Sequence, residues 1–208
     1  MLYGFPGAGK TAFARQLSED LGIVHIQEDK VRHELFGPRA DSVSPAVVRR
    51  IMNYMIRQLL MAGVSVAYDG DVYKAKERQL VRELALGVRA TPILVWLQVD
   101  PETSFVRTQK RDRRTIEDRY ARDYTEDDFR SVLSIMQNPA NEDAIVVSGK
   151  HTFNSQRAAV VKKLHDLSVV TREVASTKIV KPELMNLVSQ SQINMRGDIQ
   201  RRNISIRP

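Results

Sequence analysis

The sequence predicts an α/β fold in which a parallel sheet of about five strands lies between two layers of helices. Short apolar runs alternate with segments of helical periodicity, which is the pattern of parallel strands joined by crossover helices. The run 91–99 is almost wholly apolar, as expected for a strand buried on both faces. A glycine-rich turn at 4–11 connects the first apolar residues to a helical segment.

The individual elements follow from periodicity and from helix-end signals. Ser44-Pro45 and Thr125 with Asp128 are typical helix starts, and Gly22, Gly63 and Gly87 end helices. Leu2-Tyr3 is a very short first strand, so we expect either a clipped strand or a start upstream. The predicted strands are 2–3, 23–26, 64–68, 91–99 and 144–147, and the predicted helices are 10–21, 29–36, 44–63, 74–86, one from 101, 125–137 and 154–167, with a short one at 182–188.

Length and composition favour one domain with an appendage. The 208 residues, 42% of them hydrophobic, suffice for one sizeable core, which we place at 1–167 with a basic extension at 168–208. The absence of cysteine excludes disulfides and thiolate metal sites. No apolar run approaches the roughly 20 residues of a membrane span, and the N-terminus lacks a signal-peptide pattern, so we expect a cytoplasmic protein without a membrane partner.

The charge is distributed unevenly along the chain. The net charge is +7, and the extension 168–208 carries seven basic and three acidic residues. A basic tail can bind nucleic acid, but scattered charges are more often a solvated surface.

The stretch GFPGAGKT, residues 4–11, fits the Walker A pattern G-x-x-x-x-G-K-[ST]. Its glycines let the backbone curl so that successive N–H groups face a phosphate, Lys10 reaches the β- and γ-phosphates, and Thr11 can ligate Mg²⁺. The following helix presents its positive end to the same anion. A strand before the loop and an amphipathic helix after it favour a nucleotide site over an ordinary turn. The predicted nucleotide-binding residues of the loop are Gly4, Pro6, Gly7, Ala8, Gly9, Lys10 and Thr11.

The rest of the chain favours a kinase among P-loop proteins. The guanine-reading N-K-x-D of GTPases is absent, and a motor usually needs a longer chain. A kinase needs a base for the acceptor hydroxyl and a lid of cations over the transferred phosphoryl group.

Asp29 is the candidate for the base. It follows the second strand, at the carboxyl edge of the sheet where the P-loop also lies, so it can face the γ-phosphate. Arg32, three residues later on a helix, can hold an anionic part of the acceptor. The alternative for Asp29 is an ordinary helix N-cap.

Arginines after the fourth strand are candidates for the lid, placed at about 107–124. Arg107 and Arg111 share a helical face, although a solvated basic turn, which includes Lys110, Arg113 and Arg114, is the plainer alternative. Asp69 ends a strand and is the candidate that organises Mg²⁺, with Asp71 and Asp100 as weaker competitors. The four histidines show no metal-ligand spacing, and we interpret them as incidental.

These motifs resemble the small P-loop kinases grouped with phage polynucleotide kinase, the zeta toxins and chloramphenicol phosphotransferase, among AAA-type P-loop proteins. GFPGAGKT, EDKVR, YDGDVYKAKERQ, VDPETSFVRTQKR and NPANE carry the resemblance, which covers about four-fifths of the chain. It implies a nucleoside-monophosphate-kinase-like fold with a lid. It implies Asp29 as general base, Arg32 on an acceptor phosphate, Asp69 and Arg78 as the strand-end acid and its downstream arginine, and Arg107 and Arg111 on nucleotide phosphates. Pro139 and Glu142 resemble a recurrent element before the last strand.

The chain departs from this family at three points. The first strand is nearly missing, Asp71 stands where polynucleotide kinase has a side-chain amide, and the segment after Leu167 matches no known pattern.

The sequence therefore predicts a kinase that transfers the γ-phosphoryl group of Mg-ATP to a hydroxyl of a small molecule or of a nucleic-acid 5′ end. Lys10, Asp29 and Arg111 are the predicted catalytic residues, Arg32, Asp69 and Arg78 contact the substrate, and Thr11 and Asp69 hold the metal. Nucleic acid is possible but not favoured, because only 6% of residues are aromatic and no run of them offers a stacking surface. The alternatives are a nucleotide-binding regulator without a dedicated acceptor and a plain ATPase.

Overall fold

A computed structural model describes residues 1–37, 42–116 and 118–167. Strands and helices alternate along this part of the chain. The elements are β1 (Leu2–Tyr3), α1 (Lys10–Leu21), β2 (Val24–Gln27), α2 (Glu28–Phe36), α3 (Pro45–Met61), β3 (Val66–Asp69), α4 (Ala75–Gly87), β4 (Leu94–Gln98), α5 (Pro101–Gln109), α6 (Glu126–Ile135), β5 (Ala144–Ser148) and α7 (Phe153–Asp166).

Local capping explains where several helices begin. The Ser44 hydroxyl accepts a hydrogen bond from the Ala46 backbone N–H at 3.3 Å, with Pro45 at the first helical position of α3. At the start of α6, Thr125 and Asp128 form the predicted capping box, in which each side chain accepts the other's backbone N–H at 3.1 Å. These starts are therefore determined by a few neighbouring residues.

The strands pair only in parallel, but they form two hydrogen-bonded groups. One group has the order β1-β4-β5, and the other pairs β2 with β3. The described residues form five strands, as predicted. These strands do not form one continuous hydrogen-bonded sheet, which the prediction had assumed. The two-residue β1 pairs with β4 and packs beside β3 without forming a ladder to it.

Apolar side chains on opposite faces of the strands form two cores. Along β3, Ala67 belongs to the core with α1 and α7, whereas Tyr68 belongs to the core with α3 and α4. Successive strand residues point to opposite faces, so the strands lie between two helical layers. The three-layer α/β/α arrangement of the prediction is confirmed.

The predicted C-terminal extension and its short helix at 182–188 lie outside the described residues. Within the described part of the chain, no helix is long and apolar enough to cross a membrane.

Candidate active site

The carboxyl ends of three strands deliver the predicted site residues to one edge of the fold. The glycine-rich loop follows β1, Asp29 lies in the first turn of α2 directly after β2, and Asp69 ends β3. Pro6, Asp29 and Asp69 line one cavity, so these ends meet at the same edge, where open α/β sheets bind their ligands.

The glycine-rich loop has a backbone that only glycine adopts easily. Gly4, Gly7 and Gly9 have φ angles of 152°, 83° and 93°. A Cβ at Gly7 would lie 2.2 Å from the carbonyl oxygen of Ser104, and one at Gly4 would lie 2.6 Å from that of Leu97. The loop is therefore pressed against β4 and α5. At Gly9 the corresponding space is open, which leaves room beside the start of α1.

Lys10 lies at the first position of α1 with its ammonium group folded against the loop. Its Nζ donates hydrogen bonds to the carbonyl oxygens of Gly4 at 2.9 Å and Phe5 at 3.0 Å. Burial lowers the pKa of Lys10, and the carboxylates of Asp71 and Asp69 oppose this shift. The loop amide of Ala8 donates to Phe5 at 3.0 Å, so this part of the turn is closed on itself.

Four acids, Glu28, Asp29, Asp69 and Asp71, meet the loop in a small polar cavity of about 50 Å³. The side chains that line it come from both hydrogen-bonded groups of strands and from the segment between α5 and α6. They include Pro6, Lys10, Thr11, Asp29, Asp69, Asp71, Arg111, Arg122 and Tyr124. The structure thus brings the predicted loop residues, base, metal-organising acid and lid arginine into one place.

Asp29 lies in a partly buried position beside a guanidinium. Its Oδ1 accepts a hydrogen bond from Nε of Arg122 at 2.7 Å. Burial raises the pKa of Asp29, Arg122 opposes that shift, and the carboxylates of Asp71 and Asp69 add to it. The side chain does not cap α2, because no side-chain cap is present at the start of that helix. The alternative of an ordinary N-cap is therefore excluded.

Asp69 is buried, with 5% of its surface exposed, and has a histidine partner. Its Oδ2 lies 3.1 Å from Nε2 of His25 on the neighbouring strand. The sequence did not predict this contact of His25, and the interpretation of the histidines as functionally incidental stays a prediction. Among the described residues, no group of three or more histidine, cysteine or acidic side chains is arranged so that it could hold a metal ion.

Arg107 and Arg111 both lie beside the loop, and their role as lid residues stays a prediction. Both line a cavity of about 230 Å³ together with Gly7, Gly9 and Thr11. Nη1 of Arg107 donates to the Gly149 carbonyl at 3.1 Å, and Nη1 of Arg111 donates to that of Arg122 at 2.5 Å. Helix α5 ends at Gln109, so Arg111 reaches the cavity from the segment after the helix.

Arg32 points into the interior of the α2 region. Its side chain is 7% exposed, and it donates to Oε1 of Glu28 at 3.1 Å and to the Val43 carbonyl at 3.0 Å. It also lines a cavity of about 510 Å³ next to Asp29. Nη1 and Nη2 each make one of these bonds, whereas the buried Nε has no hydrogen-bond partner. Contact between Arg32 and an acceptor stays a prediction.

Arg78 has no surface that a substrate could reach. It is fully buried and donates to the carbonyls of Val72 at 3.1 Å and Tyr73 at 3.0 Å. Its other nitrogens donate to Oε1 of Glu142 at 2.8 and 2.6 Å, and its guanidinium lies 4.8 Å from the ring centroid of Tyr3. The predicted substrate contact of Arg78 does not fit this position, because the side chain supports the backbone after β3.

Two residues near the acids were not predicted. Arg122, in the predicted lid range, bridges Asp29 and Asp71, with Nη2 2.6 Å from Oδ2 of Asp71. Glu28 is buried, and its Oε2 accepts the backbone N–H of Asp71 at 2.9 Å. Burial raises the pKa of Glu28, and Asp71 adds to the shift. Neither role has a signal in the local sequence.

The residues present fit a magnesium-bound nucleoside triphosphate. The open space at Gly9, the start of α1 and the cations Lys10, Arg107 and Arg111 surround one cavity, which suits a polyphosphate. Thr11 and Asp69 line the adjoining small cavity and offer the oxygen ligands that Mg²⁺ prefers, with phosphates and water completing its shell.

The fold and the loop geometry define a P-loop nucleotide-binding protein of kinase-like architecture. The chain belongs to an AAA domain family, whose match covers residues 1–139. The predicted identification as a small AAA-type, kinase-like P-loop protein is thereby confirmed. A comparison with curated proteins finds no match.

Solved structures support the same fold at low sequence identity. Kti12 from Chaetomium thermophilum, in complex with ADP-AlF3, is 17% identical with a TM-score of 0.64, covering 79% of this chain and 96% of its own. A gluconokinase from Sinorhizobium meliloti is 16% identical with a TM-score of 0.58, covering 81% and 94%. A sugar kinase from Janibacter sp. is 18% identical with a TM-score of 0.57, covering 85% and 96%.

Proposed function

We propose that the protein is an ATP-dependent kinase that transfers the γ-phosphoryl group of Mg-ATP to a hydroxyl group. The observation that supports this most directly is the small cavity shared by the phosphate loop, Asp29 and Arg111. A phosphate donor site and a carboxylate base within one cavity are what phosphoryl transfer to an alcohol requires.

The nucleotide side of the proposal rests on cations and loop amides. Lys10 and the loop N–H groups hold the phosphates, and Arg107 and Arg111 cover them from the lid. Thr11 and Asp69 would hold Mg²⁺ in the small cavity that both line. When bound, the ion would supply positive charge that neutralises the phosphates as charge spreads in the transition state.

On the acceptor side, Asp29 takes the hydroxyl proton. The acceptor oxygen forms a bond to the γ-phosphorus, the bond from that phosphorus to the β–γ bridging oxygen breaks, and ADP leaves with the electron pair. Asp29 is a carboxylate positioned by the start of α2, and Arg111 offsets charge at the transferred group.

The cavity of about 510 Å³ beside Asp29 is the proposed acceptor site. Its arginines Arg32, Arg113 and Arg119 suit an acceptor with an anionic group, whether a small molecule or a nucleic-acid 5′ end. A small molecule is the preferred class, since this wall has one aromatic residue, Tyr120, against which a base could stack. Two of the similar structures are named for small-molecule acceptors, a gluconokinase and a sugar kinase, which agrees with this preference.

A nucleotide-binding regulator is the second candidate. The observation that favours it is the ion pair of Asp29 with Arg122 of the same chain, which occupies one oxygen of the proposed base. In that case ATP binding would survive loss of Asp29 and no phosphorylated product would form.

The test is ADP release from Mg-ATP, alone and with pooled acceptors: 5′-hydroxyl oligonucleotides, nucleosides, sugars, sugar acids and aminoglycosides. Acceleration by one pool, lost in Asp29→Asn with unchanged ATP affinity, supports the kinase. Near-full turnover by Asp29→Asn with its acceptor refutes the base assignment. Tight ATP binding with only slow, acceptor-independent hydrolysis favours the regulator or a plain ATPase.

A further inference from the structure

The guanidinium of Arg122 lies between two carboxylates that come from different elements. Nε donates to Oδ1 of Asp29, in α2, at 2.7 Å, and Nη2 donates to Oδ2 of Asp71, after β3, at 2.6 Å. Arg122 itself belongs to the segment between α5 and α6. One lid side chain thus joins the proposed base to the strand end beside it.

The geometry of this contact requires arginine. Nε and Nη2 lie along one edge of the planar guanidinium, so two N–H groups can reach two acids at once. A lysine ammonium carries the same charge but is a single point, without a fixed fork. Both bonds are charge-assisted, and such bonds are the stronger class.

The partners of Arg122 are themselves held in place. The backbone N–H of Asp71 donates to Oε2 of Glu28 at 2.9 Å, and Nη1 of Arg111 donates to the Arg122 carbonyl at 2.5 Å. Because Oδ1 of Asp29 faces Arg122, the pairing leaves Oδ2 as the oxygen that an acceptor hydroxyl meets. The contact therefore fixes which way the carboxylate turns.

The lid also rests on α2 at a second point. The Tyr120 hydroxyl donates to Oε1 of Glu34 at 2.6 Å, and its ring lies 5.3 Å from the His33 ring, centroid to centroid, in an edge-on arrangement. The segment that carries Arg122 is thus placed against the helix that carries Asp29 by contacts outside the acidic cluster.

We propose that Arg122 is a positioning residue that orients Asp29 only while the lid lies on α2. When the lid closes over the acceptor, Arg122 then also turns the Asp29 carboxylate into the orientation in which it accepts the hydroxyl proton. This inference rests on the proposed kinase function, and it adds a lid residue that acts through Asp29 and not on the nucleotide.

The kinetic test compares Arg122→Ala and Arg122→Lys with the natural chain and with Arg130→Ala. Arg130 is a matched control, because it is an exposed arginine on α6 that pairs with Glu126 and lines neither the nucleotide cavity nor the acceptor cavity. We expect Arg122→Ala to lower kcat about tenfold or more, with the KM for ATP within about threefold, since the interaction is made through the base. Arg122→Lys should recover only part of the loss, and Arg130→Ala should stay close to the natural chain.

A second test needs no acceptor. The chain has no cysteine, so spin labels attach only at introduced sites, here Leu35→Cys on α2 and Arg114→Cys in the lid, which are 56% and 93% exposed. The distance distribution between the labels should be narrow in the natural background. It should broaden in both Arg122→Ala and Asp29→Asn, and it should stay narrow in Arg130→Ala.

Three results would overturn the inference: unchanged kcat and label distances in Arg122→Ala, a KM for ATP that rises in proportion to the loss, or full recovery by Arg122→Lys. A proportional rise in the KM for ATP would mean that Arg122 binds the nucleotide phosphates. Full recovery by Arg122→Lys would mean that a positive charge at this position is sufficient for activity, without the fork of the guanidinium. A natural chain that transfers to no acceptor, with labels that still respond to Arg122→Ala, refutes the kinase and supports the lid contact.

Discussion

Replacing Arg78 by methionine tests whether this arginine supports the fold or binds a substrate. The side chain is fully buried, donates to two backbone carbonyls and forms a two-point pair with Glu142. Methionine fills similar space but leaves both carbonyls without this donor and Glu142 with only Arg82, at 3.1 Å.

The expected loss follows from these contacts. Leaving two buried carbonyl oxygens without a donor costs about 1 kcal/mol each, and the loss of the ion pair with Glu142 adds about 1.5–3 kcal/mol. The retained Arg82 contact and the new apolar packing offset part of this, so we expect the free energy of unfolding to fall by about 3 kcal/mol, within the range for broken buried pairs. For a domain of this size, the midpoint temperature of thermal unfolding should drop by roughly 6–12 °C.

Urea unfolding of Arg78→Met measures this loss, with Arg82→Ala as the matched control. Arg82 is more exposed and donates to the same carboxylate, so its removal should cost about 1 kcal/mol or less. A loss below 1 kcal/mol for Arg78→Met, or one equal to the control, would refute the reasoning. An unchanged stability with a raised acceptor KM would restore the substrate contact predicted from the sequence.

Three further predictions concern the loop, the base and the metal. Gly7→Ala should abolish ATP binding in equilibrium dialysis because its Cβ would lie 2.2 Å from the Ser104 carbonyl, whereas Gly9→Ala, with open space, should cost only the strain of its φ angle, about 1–2 kcal/mol. Burial and neighbouring carboxylates raise the pKa of Asp29 above 3.8, and phosphoryl transfer should decline as the pH is lowered through this pKa. The fall in kcat/KM should therefore begin at a higher pH than for an ordinary aspartate. A kcat/KM profile that is flat down to pH 4 would contradict this. Thr11→Val should raise the Mg²⁺ concentration needed for half-maximal ATP turnover about tenfold while unfolding stays the same, and an unchanged requirement would remove Thr11 from the metal site.

The parts of the fold that the sequence predicts are those with local causes. The glycine-rich turn, the Ser44-Pro45 start and the Thr125 capping box depend on residues a few positions apart, and the structure contains each of them. Parallel strands then bring Asp29 and Asp69 to the loop without further information. The placement of the loop, Asp29 and Asp69 at one edge of the fold was therefore accessible to sequence reasoning.

What the sequence did not reveal depends on distant partners. Arg122 lies 93 residues from Asp29 and 51 from Asp71 along the chain, so its bridge has no local pattern. Arg78 meets Glu142 across 64 residues, and His25 meets Asp69 across 44. An arginine on a helix is usually exposed, whereas Arg78 is buried among distant partners, the Tyr3 ring and the Glu142 carboxylate.

The separation of the strands into two hydrogen-bonded groups divides the site in the same way. The donor half, with the phosphate loop on β1, belongs to one group, and the acceptor half, with Asp29 after β2 and Asp69 at the end of β3, belongs to the other. Between β1 and β3 the described residues form no ladder, so the two halves are joined there by side chains and not by the backbone hydrogen bonds of a sheet. Ala67 of β3 packs in one core with Leu2 of β1 and Val95 of β4, and the spacing between the two halves therefore depends on the volume of these apolar side chains.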